Sequence, residues 1–487
     1  MLAKRFAPLA EFRKAESAGY RLLPLRFIAL DTHRSVMTNM VGEYLVVDRR
    51  TIDDIINHRL EPSIPLYDEL KSRHFIYDED SNVALDLLAL KYRTKLSRVA
   101  QFTSLHMFVV TLRCDYTCKY CQVSRQTQDL VSFDMSHEMA VAAVDMVFRS
   151  PSSAIKIEFQ GGEPLLNFER ITDIVGLAEE RNRQEKRDLQ FVIATNLTPL
   201  NDEVLDFADE HQILFSTSLD GPADLHNANR PRPGKNGHAI TRAGILRIQE
   251  RLGIDRISAL MTTTERSLPR VKDVIDEYVH SGLHNVFLRP LSPYGFAVKT
   301  GQVHRYDANR WVEFYKEGLD YILELNRQGY VIQESYTALI LRKMLTAQNP
   351  GYVDLQSPAG MGLSGIVYNY DGDVYASDEA RMLAEMGDKT FRLGNLATDQ
   401  YEDMLLGDAL LDPIEASVAE SCPQCAECAF VSYCGSDPIY HYATQHDAIG
   451  NKALSGFCTR HMAVFRHIIR RMEDHPQDRD LMLRWIS

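Results

Sequence analysis

From about residue 105 to residue 330 the chain alternates short apolar runs with stretches whose apolar residues recur at helical spacing. The apolar runs fall at 105–112, 154–160, 190–196, 213–219, 256–262 and 285–291. Helical patterns fill the gaps at 136–148, 168–180, 202–210, 239–251, 267–279 and 308–326. Six β/α units in succession predict parallel strands buried beneath helices. Eight such units close a barrel and six do not, so the expected fold is α/β, an open (β/α)6 partial barrel of TIM-like form. Its site belongs at the carboxyl ends of the strands.

The flanks read differently. Runs at 26–30 and 42–47 predict strands, and 51–56 predicts a short helix with Thr51 as its cap. A second helix is expected from 65 to 70 and a returning strand at 75–77. The expected organisation is an α+β module over 1–100, the partial barrel over 101–330, and a cysteine-rich third unit with a C-terminal helix over 331–487. A chain of 487 residues is too long for one ordinary core, which agrees with several units.

Composition narrows the class. Hydrophobic content of 45% and charged content of 25% describe a globular protein. A net charge of −13 argues against a broad nucleic-acid footprint. There is no apolar run of membrane-spanning length and no charged-then-apolar leader, so the sequence predicts a cytoplasmic protein with no membrane partner. Thiols stay reduced in that compartment. All eight cysteines nevertheless fall in two groups, Cys114, Cys118 and Cys121, then Cys422, Cys425, Cys428, Cys434 and Cys458. Grouping of this kind points to ligation.

The first group forms C-x3-C-x2-C directly after the first barrel strand. Three thiolates can hold three irons of a [4Fe–4S] cube and leave the fourth open. Zinc asks for four protein ligands, or three and a water, and a zinc or structural cysteine loop is the alternative. One unit later, Gln160-Gly161-Gly162-Glu163-Pro164 follows the second strand. Paired glycines allow a close backbone approach, and Glu163 can pair with a cation; a plain tight turn is the alternative. Polar residues Thr195-Asn196 and Ser218-Leu219-Asp220-Gly221 end the third and fourth strands, either facing a ligand or capping helices. The basic loop 226–232 reads as solvated, and His106, His211 and His284 as locally hydrogen-bonded histidines.

Taken together, C-x3-C-x2-C and Gly-Gly-Glu one unit apart resemble the radical S-adenosylmethionine (SAM) superfamily. The resemblance implies that Cys114, Cys118 and Cys121 hold a [4Fe–4S] cluster whose open iron binds SAM. It implies that Gly161, Gly162 and Glu163 seat the methionine part of SAM, with Asn196, Ser218 and Asp220 near its ribose and carboxylate. One electron would then cleave SAM to a 5′-deoxyadenosyl radical. The later cysteines resemble the SPASM extension of that superfamily. Cys425, Cys428, Cys434 and Cys458 match a complete ligand set for one auxiliary [4Fe–4S] cluster. Ala359, Ser377 and Asp437 stand where the extension carries cysteines for another cluster, so that cluster is expected to be lost, with Cys422 as an extra thiol. Asp378, next to Ser377, matches a catalytic aspartate of sulfatase-maturing relatives, a proton acceptor or substrate anchor. Residues 368–373, 378–383 and 387–388 resemble peptide maturases of His-Xaa-Ser systems, and the front module resembles a winged-helix peptide-recognition domain. The expected function is therefore reductive cleavage of SAM to abstract hydrogen from a residue of a ribosomally made precursor peptide, with an electron donor such as flavodoxin or ferredoxin. Sulfatase maturation, small-alcohol oxidation and a zinc-binding interaction protein are the alternatives.

Overall fold

The computed structural model describes residues 19–79, 83–97, 99–347, 349, 351 and 353–486. Strands β1 (Leu25–Ala29), β2 (Arg34–Asn39) and β3 (Tyr44–Asp48) form an antiparallel meander with Ile28, Val36 and Val46 in register. The sequence predicts the two outer strands and misses the central one. In Arg-Ser-Val-Met-Thr-Asn the polar residues hide the pattern, yet β2 is buried on both faces. Helices α1 (Arg49–Ile56), α2 (Pro65–Ser72) and α3 (Ala84–Leu96) complete the module. Thr51 is not a cap: α1 begins two residues earlier, after Asp48, and without a side-chain capping bond. Residues Ile76–Tyr77 pair with Arg21–Leu22.

The central sheet begins with β4 (Leu105–Thr111), β5 (Ala154–Gly161), β6 (Asp188–Thr195), β7 (Leu214–Ser218) and β8 (Ile257–Leu260), parallel and adjacent in chain order. Helices α4 (His137–Arg149), α5 (Phe168–Glu185), α6 (Asp202–Glu210), α7 (Gly237–Leu252), α8 (Val271–His280) and α9 (Ala308–Arg327) follow the predicted alternation. Ser136, Asn201 and Asp307 accept capping bonds at the starts of α4, α6 and α9, satisfying backbone donors that the first turn leaves unpaired.

The sixth predicted strand is cut short. Only β9 (Asn285–Val286) forms, and it pairs with β10 (Gln333–Glu334) instead of extending the main ladder. Pro290 and Pro293 follow at once and cannot donate to a ladder. The other edge of the sheet is built from far along the chain. Strand β11 (Gly365–Tyr368) lies parallel to β4, and β12 (Asp373–Tyr375) and β13 (Arg392–Asn395) continue antiparallel. The result is one eight-stranded sheet, β8-β7-β6-β5-β4-β11-β12-β13.

Three later helices carry residues that reach the cavity at the strand ends: α10 (Asp378–Ala384), α11 (Pro438–Gln445) and the longer α12 (Gly456–Asp474). The front meander sits directly on the second cysteine segment. Arg26 Nε donates to the Ala426 carbonyl at 2.6 Å, Thr38 Oγ1 to Ala429 at 2.5 Å, and the Tyr433 hydroxyl to Gly42 at 2.6 Å. Among the described residues no helix is long and apolar enough to cross a membrane.

Candidate active site

Past the end of β4 the chain turns through the first three cysteines, and backbone bonds hold that turn. Cys114 N–H donates to Gln126 O at 3.0 Å, and Cys121 N–H to Cys118 O at 3.2 Å. Two further bonds come from the basic loop: Thr117 N–H to Pro231 O at 2.7 Å and Lys119 N–H to Asn229 O at 3.3 Å. Cys114, Cys118 and Cys121 all open onto one cavity of about 470 Å³. Burial pushes the Cys114 thiol up, and pushes Cys118 up to about 12. Each is raised further by a neighbouring thiol of the loop. Such sulfurs ionise readily only beside a cation. Three converging sulfur donors in a cavity of cofactor size fit an iron–sulfur cluster with a small organic ligand beside it.

The glycine turn makes this convergence possible. Gly161 has φ of +141°, and a Cβ there would sit 1.9 Å from the Thr111 carbonyl oxygen. A Cβ on Gly162 would sit 2.3 Å from the Arg113 oxygen and 2.5 Å from that of Leu112. The backbone closes instead through Gly162 N–H to Thr111 O at 2.8 Å and Glu163 N–H to Arg113 O at 2.7 Å. Glu163 turns its side chain inward, with no exposed surface. It accepts from Thr195 Oγ1 at 2.6 Å, Asn196 N–H at 2.7 Å and Leu165 N–H at 3.0 Å. Burial pushes its carboxyl up to about 7, against those three bonds. Asn196 then passes the connection on, donating from Nδ2 to Asp115 in the cysteine loop at 2.8 Å. One hydrogen-bonded chain thus joins the glycine turn, the end of β6 and the cysteines.

Of the residues singled out from sequence, Gly161, Gly162, Asn196, Ser218 and Asp378 line the cavity with the three cysteines. Glu163 and Asp220 do not. Asp220 is fully buried behind the wall, accepting from the Tyr120 hydroxyl at 2.6 Å and pairing with Arg230 Nε at 3.2 Å. The Arg230 guanidinium also lies 5.3 Å over the Tyr120 ring. Loop 226–232 is therefore not the solvated segment its composition predicts; it clamps the cysteine turn. His106, His211 and His284 are each locally hydrogen-bonded, to Tyr368, Glu179 and the Val331 carbonyl.

Across residues 108–263, the segment that carries these strand ends, the chain matches the family model of the radical SAM superfamily. The chain belongs to the radical SAM superfamily. An uncharacterized protein of Methanothermobacter thermautotrophicus is 30% identical over 189 residues, 38% of this chain and 67% of its own length. The first three curated relatives are matched over 61%, 67% and 40% of their own lengths. Two solved structures share the radical SAM fold over more of the chain. Native anSMEcpe with bound AdoMet and Cp18Cys peptide aligns with a TM-score of 0.62 at 18% identity, over 76% of this chain and 98% of its own. Streptococcus suis SuiB bound to precursor peptide SuiA aligns at 0.51 and 13%, over 90% of this chain and 99% of its own.

Outside the radical SAM cavity, the second cysteine group also converges. Cys434 lies within electrostatic reach of Cys428, Cys458 and Cys425, and burial raises all four thiols. Positive side chains surround them: Lys452 near Cys425 and Cys458, Arg26 and Arg466 near Cys428, and Lys343 near Cys434. Four thiols among cations fit a fully protein-ligated cluster. Cys422 is buried beside them and donates from Sγ to the Ala416 carbonyl at 3.2 Å. Ser377 and Asp437, in positions where the SPASM resemblance calls for cysteine, instead cap α10 and α11 by accepting from Ala380 and Tyr440. Asp378 accepts two bonds on Oδ1 from the fully buried Arg381, at 2.9 and 2.8 Å. Sequence reasoning named Asp437 only as a lost cysteine position, and missed Asp354, Glu379, Arg289, Tyr294 and Arg460 as members of the cavity wall. They come from separate segments, and no local motif joins them.

Proposed function

We propose that this radical SAM enzyme is a peptide maturase that modifies a residue of a ribosomally made precursor, supported by one auxiliary cluster. The observation that carries the reading is the joint lining of one cavity by Cys114, Cys118, Cys121, Gly161, Gly162, Asn196 and Ser218. In this reading the three cysteines hold the [4Fe–4S] cluster and the glycine turn seats SAM. Cys425, Cys428, Cys434 and Cys458 hold the auxiliary cluster. When bound, cluster and SAM together supply a 5′-deoxyadenosyl radical that takes a hydrogen atom from the substrate. The protein's part is to position the substrate and exclude water.

Asp378 is the residue assigned to the proton. Arg381 holds its carboxylate in place, and the substrate radical would lose a proton to it as its second electron passes to the auxiliary cluster that Cys425, Cys428, Cys434 and Cys458 would hold. Asp378→Asn should lower product formation by about a hundredfold. In that variant 5′-deoxyadenosine release should continue; unchanged turnover of the peptide would remove Asp378 from the chemistry.

The front module is assigned to the leader of the precursor. Leu30 N–H donates to Arg34 O, so alternation along β1 points the Phe27 N–H away from β2, toward the edge that no described strand covers and where Arg466 Nε reaches the Ala29 carbonyl at 3.3 Å. An extended peptide can add there as a further strand. Phe27 is 46% exposed, so Phe27→Pro removes that donor without disturbing a buried side chain. Precursor affinity should fall roughly three- to tenfold, the worth of one main-chain bond. Equal affinity of Phe27→Pro and wild type, measured by fluorescence anisotropy with a labelled leader, would rule out this edge.

A further inference from the structure

The cavity has a second polar wall that the SAM-side residues do not account for. Asp354, Glu379 and Asp437 all line it, and each is close enough to another member of the set to oppose its ionisation. None of the three is ion-paired among the described residues. Asp437 spends one oxygen on the Tyr440 N–H. Arg289 and Arg460 share the wall and Lys452 lies within electrostatic reach of Asp437, yet none of these cations closes to an ion pair with the three carboxylates, and Asp378, which also faces Glu379, is already paired with Arg381. Tyr294 adds an independent observation on the same wall. It is 1% exposed, lines the same cavity, feels all three carboxylates, and its hydroxyl has no hydrogen-bond partner. Trp311 Nε1 is likewise buried, unpartnered and on the wall, with Phe287, Tyr336 and Phe457 beside it.

Half-buried carboxylates gathered on one cavity wall without ion pairs repel one another unless a cation joins them, and a buried hydroxyl without a partner is costly. We infer that Asp354, Glu379 and Asp437, with Tyr294, form a substrate subsite that takes a protonated lysine or arginine side chain of the peptide. This deepens the peptide-maturase reading and rests on it. A basic residue near the modified position would be drawn in, and the carboxylates would release protons as it docks.

The test uses the reconstituted holoenzyme with SAM and two small probes, Nα-acetyl-lysine N-methylamide and its uncharged norleucine counterpart, titrated by calorimetry. The lysine probe should bind at least about tenfold more tightly, the difference a charged hydrogen bond makes. Titrations in buffers of different ionisation enthalpy should show net proton release. Glu379→Gln should erase most of the preference, and Asp354→Asn provides the same check should the first variant fold poorly. Equal binding of the two probes, a preference untouched in both variants, or tighter binding of Nα-acetyl-aspartate N-methylamide would overturn the subsite. Probe binding does not depend on the peptide reading. A lysine preference without any modified precursor would sink the maturase assignment alone, and modification indifferent to the loss of every basic residue in the precursor would sink the subsite alone.

Discussion

Cys118→Ala should abolish release of 5′-deoxyadenosine from SAM under reductant. Cys118 is one of three sulfurs opening onto the cavity, and a cube held by two thiolates loses the geometry that leaves a single open iron. Iron content gives a second, independent reading. Two clusters correspond to about eight irons per reconstituted chain, and the variant should retain about four. Those four stay with Cys425, Cys428, Cys434 and Cys458, which lie outside the cavity. Ala359 carries no donor, while Ser377 and Asp437 are engaged as helix caps, so no third cluster is expected. A reproducible count near twelve in the wild type, or 5′-deoxyadenosine from Cys118→Ala in an anaerobic assay, would contradict this assignment.

Arg230→Met should destabilise the barrel by about 3–5 kcal/mol, the cost of leaving one partner of a buried ion pair uncompensated. Asp220 has no exposed surface, and its carboxylate would keep only the Tyr120 hydroxyl as a hydrogen-bond partner. For a unit of this size the midpoint of thermal unfolding should drop by roughly 10 °C. The loss should also reach the cysteine turn, because Asn229 and Pro231, on either side of Arg230, accept its backbone bonds. The variant should therefore release iron from the first cluster faster in the presence of a chelator. The double variant Arg230→Met with Asp220→Leu removes both charges and should recover much of the midpoint. A midpoint within a degree or two of wild type in the single variant would show that the Arg230–Asp220 pair makes no such contribution.

The β/α alternation was legible because strands buried on both faces are apolar throughout and their helices repeat at 3.6 residues. The cysteine spacing and the glycine pair were legible for a similar reason: each is short and local, and its chemistry needs those residue types at that spacing. Strand β2 was hidden by its serine, threonine and asparagine, which tertiary contacts bury all the same. Strand β9 stopped early, ahead of Pro290.

Sequence by itself determined the family-level chemistry: three thiols after one strand, two glycines after the next, and a second thiol set far downstream. Only the tertiary structure decided which polar residues face the cavity. Glu163 and Asp220 read as cofactor contacts in the chain, yet folding turns both away from the cavity, into bonds with Asn196 and with Arg230. Asp354 and Glu379 read as scattered acids and Asp437 as a lost cysteine position, yet folding brings all three segments to one wall. The reason is physical. Ligation by one loop is set by covalent spacing, whereas a wall assembled from distant segments depends on non-local pairing, whose register no local pattern encodes.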